Sequence, residues 1–157
     1  MKLMDFSGPD LPEWYVVNDD VMGGRSAGGL QIESGRLLFA GTTNTDGGGF
    51  SSIRTDVQAL DLSARLGIRL RLRGDGRTYR FRLETAAGIA YFASFDTASG
   101  AGWQTIDVPF DRFEPRRRGR PLAGPPLDTA RITGLGLMIY DRLDGPFRLE
   151  VDGIGSY

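Results

Sequence analysis

The sequence contains no cysteine and no histidine. The first absence excludes disulfides and thiolate nucleophiles. Together the two exclude Cys/His zinc centres and every histidine-based triad. The usual general base near neutral pH is missing as well. Lysine is almost absent, Lys2 being the one lysine among 19 basic residues. No apolar run is long enough to cross a membrane, so no membrane insertion is expected. The first residues, Met1-Lys2-Leu3-Met4-Asp5-Phe6, lack the apolar stretch of a signal peptide, which makes the cytoplasm the expected compartment.

What the chain does have is glycine, arginine and alternation. Its 157 residues suffice for one real core, and residues 1–157 are expected to form a single domain. The net charge of −1 conceals an uneven distribution. Residues 1–61 hold 9 acids and 4 bases, residues 62–120 hold 6 acids and 12 bases, and residues 121–157 hold 5 acids and 3 bases. The middle of the chain is therefore a positive zone on a near-neutral protein.

There are 23 glycines, and turn signals recur at short intervals. The clearest alternation is Ile68-Arg69-Leu70-Arg71-Leu72-Arg73, then Gly74-Asp75-Gly76, then Arg77-Thr78-Tyr79-Arg80-Phe81-Arg82-Leu83-Glu84. Period two on both sides of a Gly-Asp-Gly turn predicts a β-hairpin. One face would carry Ile68, Leu70, Leu72, Tyr79, Phe81 and Leu83, and the other Arg69, Arg71, Arg73, Arg80, Arg82 and Glu84. Further strands are expected at 14–17, 30–33, 36–40, 50–54, 89–95, 103–108, 132–140 and 147–151. Residues 61–65 can form one helical turn at most. The segment 114–127, with four prolines and four arginines, reads as a long loop. No window of helical length holds a 3.6 period. Many short strands joined by glycine-rich turns predict an all-β fold, an antiparallel β-sandwich of the jelly-roll kind. The chain ends, near Phe6 and at 147–154, should lie close together.

The run Trp14-Tyr15-Val16-Val17-Asn18-Asp19-Asp20-Val21-Met22-Gly23-Gly24-Arg25-Ser26 resembles the CIA30 family, the complex I intermediate-associated protein 30 domain. The resemblance continues through Gly47-Gly48-Gly49-Phe50-Ser51-Ser52-Ile53-Arg54, Arg73-Gly74-Asp75-Gly76-Arg77-Thr78-Tyr79, Trp103-Gln104 and Val108-Pro109-Phe110. It ends on Arg118-Gly119-Arg120, Leu135-Gly136 and Gly145-Pro146-Phe147. It implies a galactose-binding-domain-like jelly roll and a non-catalytic assembly factor for respiratory complex I or another protein complex, acting through a protein partner. The alternative is a module that binds a carbohydrate or a small anionic ligand with one sheet face and its rim loops.

Asn18, Asp19 and Asp20 beside Gly23-Gly24 admit a structural Asx-turn reading, a hard-cation site, or contact with a ligand or partner. No metal is expected, because one short cluster supplies too few oxygens. Met22 is either a plug under the loop or an adaptable partner contact. The glycines at 47–49 lack the following Lys-Ser/Thr and helix of a phosphate cradle, and no cofactor is expected. The arginine face of Arg69, Arg71, Arg73, Arg80 and Arg82 is either solvated and paired with acids, or a binding face for an anionic or hydroxyl-rich partner. A sugar platform would need Tyr91, Phe92 and Trp103 exposed together. Nucleic acid fits poorly with a net negative chain. Asp141 with Asp144, and Glu150 with Asp152, are the nearest carboxylate pairs, but neither has the signature of a tuned acid and base, and no catalytic residue is expected. The 18–26 and 47–51 loops are expected to form one glycine-rich rim.

Overall fold

Strands form where apolar and polar residues alternate, and the two apolar faces so created close on each other. The computed structural model describes residues 2–18, 26–46, 48–117 and 120–157. Its strands are β1 (Lys2–Met4), β2 (Trp14–Asn18), β3 (Ala27–Glu33), β4 (Arg36–Thr43), β5 (Ser51–Leu60), β6 (Gly67–Arg73) and β7 (Thr78–Thr85). They continue with β8 (Ala90–Asp96), β9 (Gln104–Pro109), β10 (Glu114–Arg117), β11 (Arg120–Pro121), β12 (Ile132–Ile139) and β13 (Gly145–Ser156). One sheet runs β3-β4-β13-β6-β9, with β1 added against β13, and the other runs β11-β10-β8-β7-β12-β5-β2. Every pairing is antiparallel. This is the expected jelly-roll sandwich. The chain ends meet as foreseen, with Lys2 opposite Gly155 and Met4 opposite Ile154.

The core lies between the sheets. Leu37, Phe39, Leu70, Leu72, Leu149 and Val151 face it from the six-stranded sheet, and Ile53, Tyr79, Phe81, Leu83, Leu135 and Leu137 from the seven-stranded one, all fully buried. The aromatic contacts cross the layers: Phe39 meets Phe147 edge-on at 4.8 Å and Tyr79 at 6.4 Å. Such pairs add to the burial of the rings themselves.

The expected hairpin at Gly74-Asp75-Gly76 does not exist. β6 pairs with β13 and β9, and β7 pairs with β12 and β8, in opposite sheets. The turn is a crossover from one layer to the other, held from both sides. Asp75 accepts from the backbone N–H groups of Arg77 (3.1 Å) and Arg148 (2.7 Å) and from the Tyr79 hydroxyl (3.0 Å). A Cβ on Gly74 would sit 2.3 Å from Thr97 Cβ, so only glycine lets the chain pass there. Burial first, and the Asp75 charge second, hold the Tyr79 phenol well above its ordinary value. A two-residue turn does occur at Ser34-Gly35, where φ is 53° and 77°, linking β3 to β4 with both central residues left-handed.

The segment 114–127 is only partly loop. β10 adds to the sheet edge with Glu114 opposite Phe92 and Arg116 opposite Ala90, and β11 folds back on it. Pro121 is tolerated there because β11 is the edge strand and need not donate every N–H. Residues 62–65 make one turn, closed by Arg65 N–H donating to the Leu62 carbonyl at 2.9 Å.

Candidate functional site

The crossover places the arginines of the expected single face on opposite sides of the molecule. Arg69, Arg71 and Arg73 stand on the outer face of the six-stranded sheet, and Arg80 and Arg82 on that of the seven-stranded sheet.

On the six-stranded face every one of these arginines has a carboxylate. Arg69 is bidentate to Asp107, at 2.7 and 2.9 Å, and these hydrogen bonds raise its pKa. Arg71 pairs with Asp152, and Arg73 Nε donates to Glu150 at 2.7 Å. Glu150, only 3% exposed, also accepts from Arg148 at 2.8 Å. Burial pushes the Glu150 carboxyl up, but its two arginines outweigh burial and hold it below the ordinary value. Trp103 lies against Arg71 and Arg73, with ring centroid to guanidinium carbon distances of 5.1 and 5.0 Å. This face is a charge-compensated lattice, the solvated reading of the alternation.

The seven-stranded face differs. Register aligns Tyr15, Arg54, Gly136, Arg82, Phe92 and Glu114 in one row across the sheet. The next row holds Val17, Ser52, Met138, Arg80 and Ser94. Gly136 has no side chain, so the stems of Arg54 and Arg82 close over it. A Cβ there would meet Arg82 Cβ at 3.3 Å and Arg54 Cγ at 3.4 Å. Among the described residues Arg54 has no hydrogen bond or ion pair, and its Nε is buried without a partner. Arg82 is 7% exposed and donates to Glu84 at 2.8 Å, but its Nε is also unpartnered. Arg80 contacts the Tyr140 ring at 5.2 Å and no carboxylate among the described residues. Arg142 approaches the same ring at 5.8 Å.

Burial first, then the Arg82 charge, lowers the pKa of Arg54; burial first, then the Arg116 charge, lowers that of Arg80. Arginine keeps its proton regardless, so the cost stays in the fold as desolvated like charge. A second ion placed over this face would relieve it.

The residues that a sugar platform would need are dispersed. Tyr91 is buried and donates its hydroxyl to the Pro125 carbonyl at 2.8 Å, Phe92 is on the seven-stranded face, and Trp103 is on the other. The carboxylate pairs are committed elsewhere. Asp141 takes both ends of the Arg77 guanidinium, at 2.6 and 2.9 Å, and Asp144 accepts from Thr45 N–H at 2.7 Å. Asn18 is engaged at both ends of its amide, donating to the Gly28 carbonyl at 3.2 Å and accepting from Ser51 Oγ at 2.5 Å. Ser26 Oγ accepts from Asn44 N–H at 3.0 Å. The bases of the two glycine-rich loops therefore meet. Asp19, Asp20 and Met22 lie outside the described residues. Among the described residues no three His, Cys, Asp or Glu side chains gather as a metal site.

Sequence reasoning missed Tyr15, Arg54 and Tyr140 in this face. The available signal was Gly134-x-Gly136 inside an apolar strand, because glycine in a strand interior marks close approach by another group.

The fold is a two-layer antiparallel jelly-roll sandwich. The chain belongs to the complex I intermediate-associated protein 30 (CIA30) family, whose model matches residues 4–151. It is 29% identical to the mitochondrial complex I intermediate-associated protein 30 of Mus musculus over 94% of this chain and 53% of that protein. It is also 29% identical to the Drosophila melanogaster protein of the same name, over 98% of this chain and 61% of that protein. The chain thus spans little more than half the length of these relatives. Its fold resembles the family 11 carbohydrate-binding module of Clostridium thermocellum Lic26A-Cel5E, with a TM-score of 0.72 and 23% identity over 98% of this chain and 94% of that one. It also resembles part of the agarase AgWH50C, with a TM-score of 0.66 and 17% identity over 100% of this chain and 24% of that one.

Proposed function

We propose that this chain is a non-catalytic module that holds a protein partner during assembly of a multi-subunit complex, respiratory complex I by its family. The contact surface is the outer face of the seven-stranded sheet. One observation carries the choice of face: Arg54 and Arg80 are half-buried cations that form no ion pair among the described residues, whereas Arg69, Arg71 and Arg73 on the opposite face are all paired. Membership of the CIA30 family and the names of the mouse and fly relatives support the assembly role.

Sugar binding has the fold likeness behind it, but aromatic surface is scarce. Tyr140 and Trp103 are already covered by guanidinium groups, Phe92 is only partly exposed, and Tyr15, 41% exposed, stands at one sheet edge. Capture from an extract of the native cell separates the two readings. The tagged chain is expected to retain subunits of a respiratory complex and to migrate unretarded through a gel containing β-1,3-1,4-glucan. Retardation by the glucan with no respiratory subunit captured would reverse the assignment.

A further inference from the structure

We infer that the seven-stranded face takes an extended acidic segment of its protein partner, with carboxylates seated on Arg54, Arg80 and Arg82. The inference rests on the binding role proposed above and adds the chemistry of the partner.

Three features define the occupant. The groups are guanidiniums, whose planar fork matches a carboxylate bidentately. Two of them, Arg54 and Arg80, form no ion pair among the described residues, so an arriving anion supplies a partner that the chain leaves open. Third, Arg80 and Arg82 are alternate residues on β7, roughly 6.8 Å apart along the strand. That is the spacing at which an extended peptide presents every second side chain to one side, so acids at alternate positions of a partner strand meet the two arginines in turn. Arg54 stands across Gly136 from Arg82 and flanks the same lane. The Tyr140 ring holds Arg80 by a cation–π contact, which orders the side chain without neutralising it.

A long polyanion such as nucleic acid fits less well. The whole chain carries a charge of −1, and on the opposite face Arg69, Arg71 and Arg73 are paired with carboxylates.

The test uses fluorescence anisotropy with the whole chain and a labelled peptide of alternating glutamate and serine. The expected result is saturable binding that weakens as ionic strength rises from low to physiological, and none to the matched glutamine–serine peptide. Arg54→Gln/Arg80→Gln should weaken binding about tenfold or more, because each lost contact is a charge-assisted hydrogen bond. Arg69→Gln/Arg71→Gln should leave it unchanged. Thermal midpoints guard against misfolding: the Arg54→Gln/Arg80→Gln protein should melt no lower than wild type, since it loses desolvated like charges. No binding of the acidic peptide, equal loss in both double variants, or an equally charged oligodeoxythymidine bound as tightly would each overturn the inference. Partner capture from extract that survives while the peptide fails removes this inference alone. Peptide binding without capture of any respiratory subunit removes the assembly reading and keeps the acidic-segment site.

Discussion

Arg77→Met is expected to destabilise the chain by about 3–5 kcal/mol, the range for removing one member of a buried ion pair. Arg77 is the bolt between the sheets. It immediately precedes β7, donates to both Asp141 oxygens, and reaches Thr43 Oγ1 at 2.9 Å and the carbonyls of Leu143 (2.8 Å), Gly145 (3.0 Å) and Pro146 (3.1 Å). The side chains of Arg77 and Asp141 are 13% and 8% exposed, so water screens the pair little. Asp141→Asn should cost a similar amount, and the double variant much less than the sum, because the second change removes a charge already stranded by the first. Urea unfolding checks this through a lowered midpoint at unchanged slope. Additive losses would show that the two side chains act separately.

The same pair sets the response to acid. Burial is the largest influence on Asp141 and pushes its carboxyl up, but the hydrogen bonds and charge of Arg77 outweigh it, and the pKa lies below the ordinary 3.8. Glu150 is likewise held low. A carboxyl with a depressed folded-state pKa contributes stability above its unfolded value and loses it as pH falls through the folded value. Stability should therefore stay level between about pH 6 and 8, where a chain without histidine or cysteine has no side chain of ordinary pKa to titrate, and fall below about pH 4. Asp141→Asn should flatten the acid limb, and a chemical-denaturation series across pH reads the slope.

Gly41→Ala is expected to cost about 3 kcal/mol, the top of the usual range for overpacking. Gly41 pairs with Gly28 across β3–β4 and with Phe147 across β4–β13. A Cβ at Gly41 would lie 2.0 Å from the Ala27 carbonyl oxygen and 2.5 Å from Gly28 Cα. Both are backbone atoms, so relief requires β3 to move away from β4. Gly29, one residue from Gly28 on the same strand, is the control. A Cβ there meets nothing within 4 Å, and Gly29→Ala should be neutral or stabilising by about 0.5 kcal/mol. Thermal unfolding of the two alanine variants tests the contrast, and equal midpoints would mean that β3 yields without cost.

The segments that carry the family resemblance are scattered along the chain, yet they meet in space. Asn18 from the first joins Ser51 from the second, and Arg54 from the second lies opposite Gly136. Arg77 binds the carbonyls of Gly145 and Pro146. The Arg54–Gly136 junction lies on the proposed site. Arg77 holds the two layers together and the Asn18–Ser51 bond ties neighbouring strands of one sheet, so much of the motif content is structural. Arg80 and Arg82 were legible as outward-facing, because alternation assigns a side. Arg54 was not singled out, because an arginine closing a strand carries no mark of lacking a partner.

The sequence by itself determined most of the strands, the side to which their residues point, and the chemistry that is excluded, but not β1, β10 or β11. Period two sends Ile68, Leu70 and Leu72 inward as surely as it sends Arg69, Arg71 and Arg73 outward, whatever the strand's neighbours are. The missing cysteine and histidine rule out their chemistry in any fold. Only the tertiary structure decided which strands lie side by side. A hairpin and a crossover at Gly74-Asp75-Gly76 bury the same apolar residues, in one case on a shared face and in the other across the core, so alternation cannot separate them. The choice rests on distant groups, namely Arg148 N–H on Asp75, Thr97 against Gly74, and Arg77 on Asp141. That choice placed acids beside Arg69, Arg71 and Arg73 and left Arg54 and Arg80 without an ion pair among the described residues. Charge pairing is a property of neighbours in space, and those neighbours come from strands far apart in the chain.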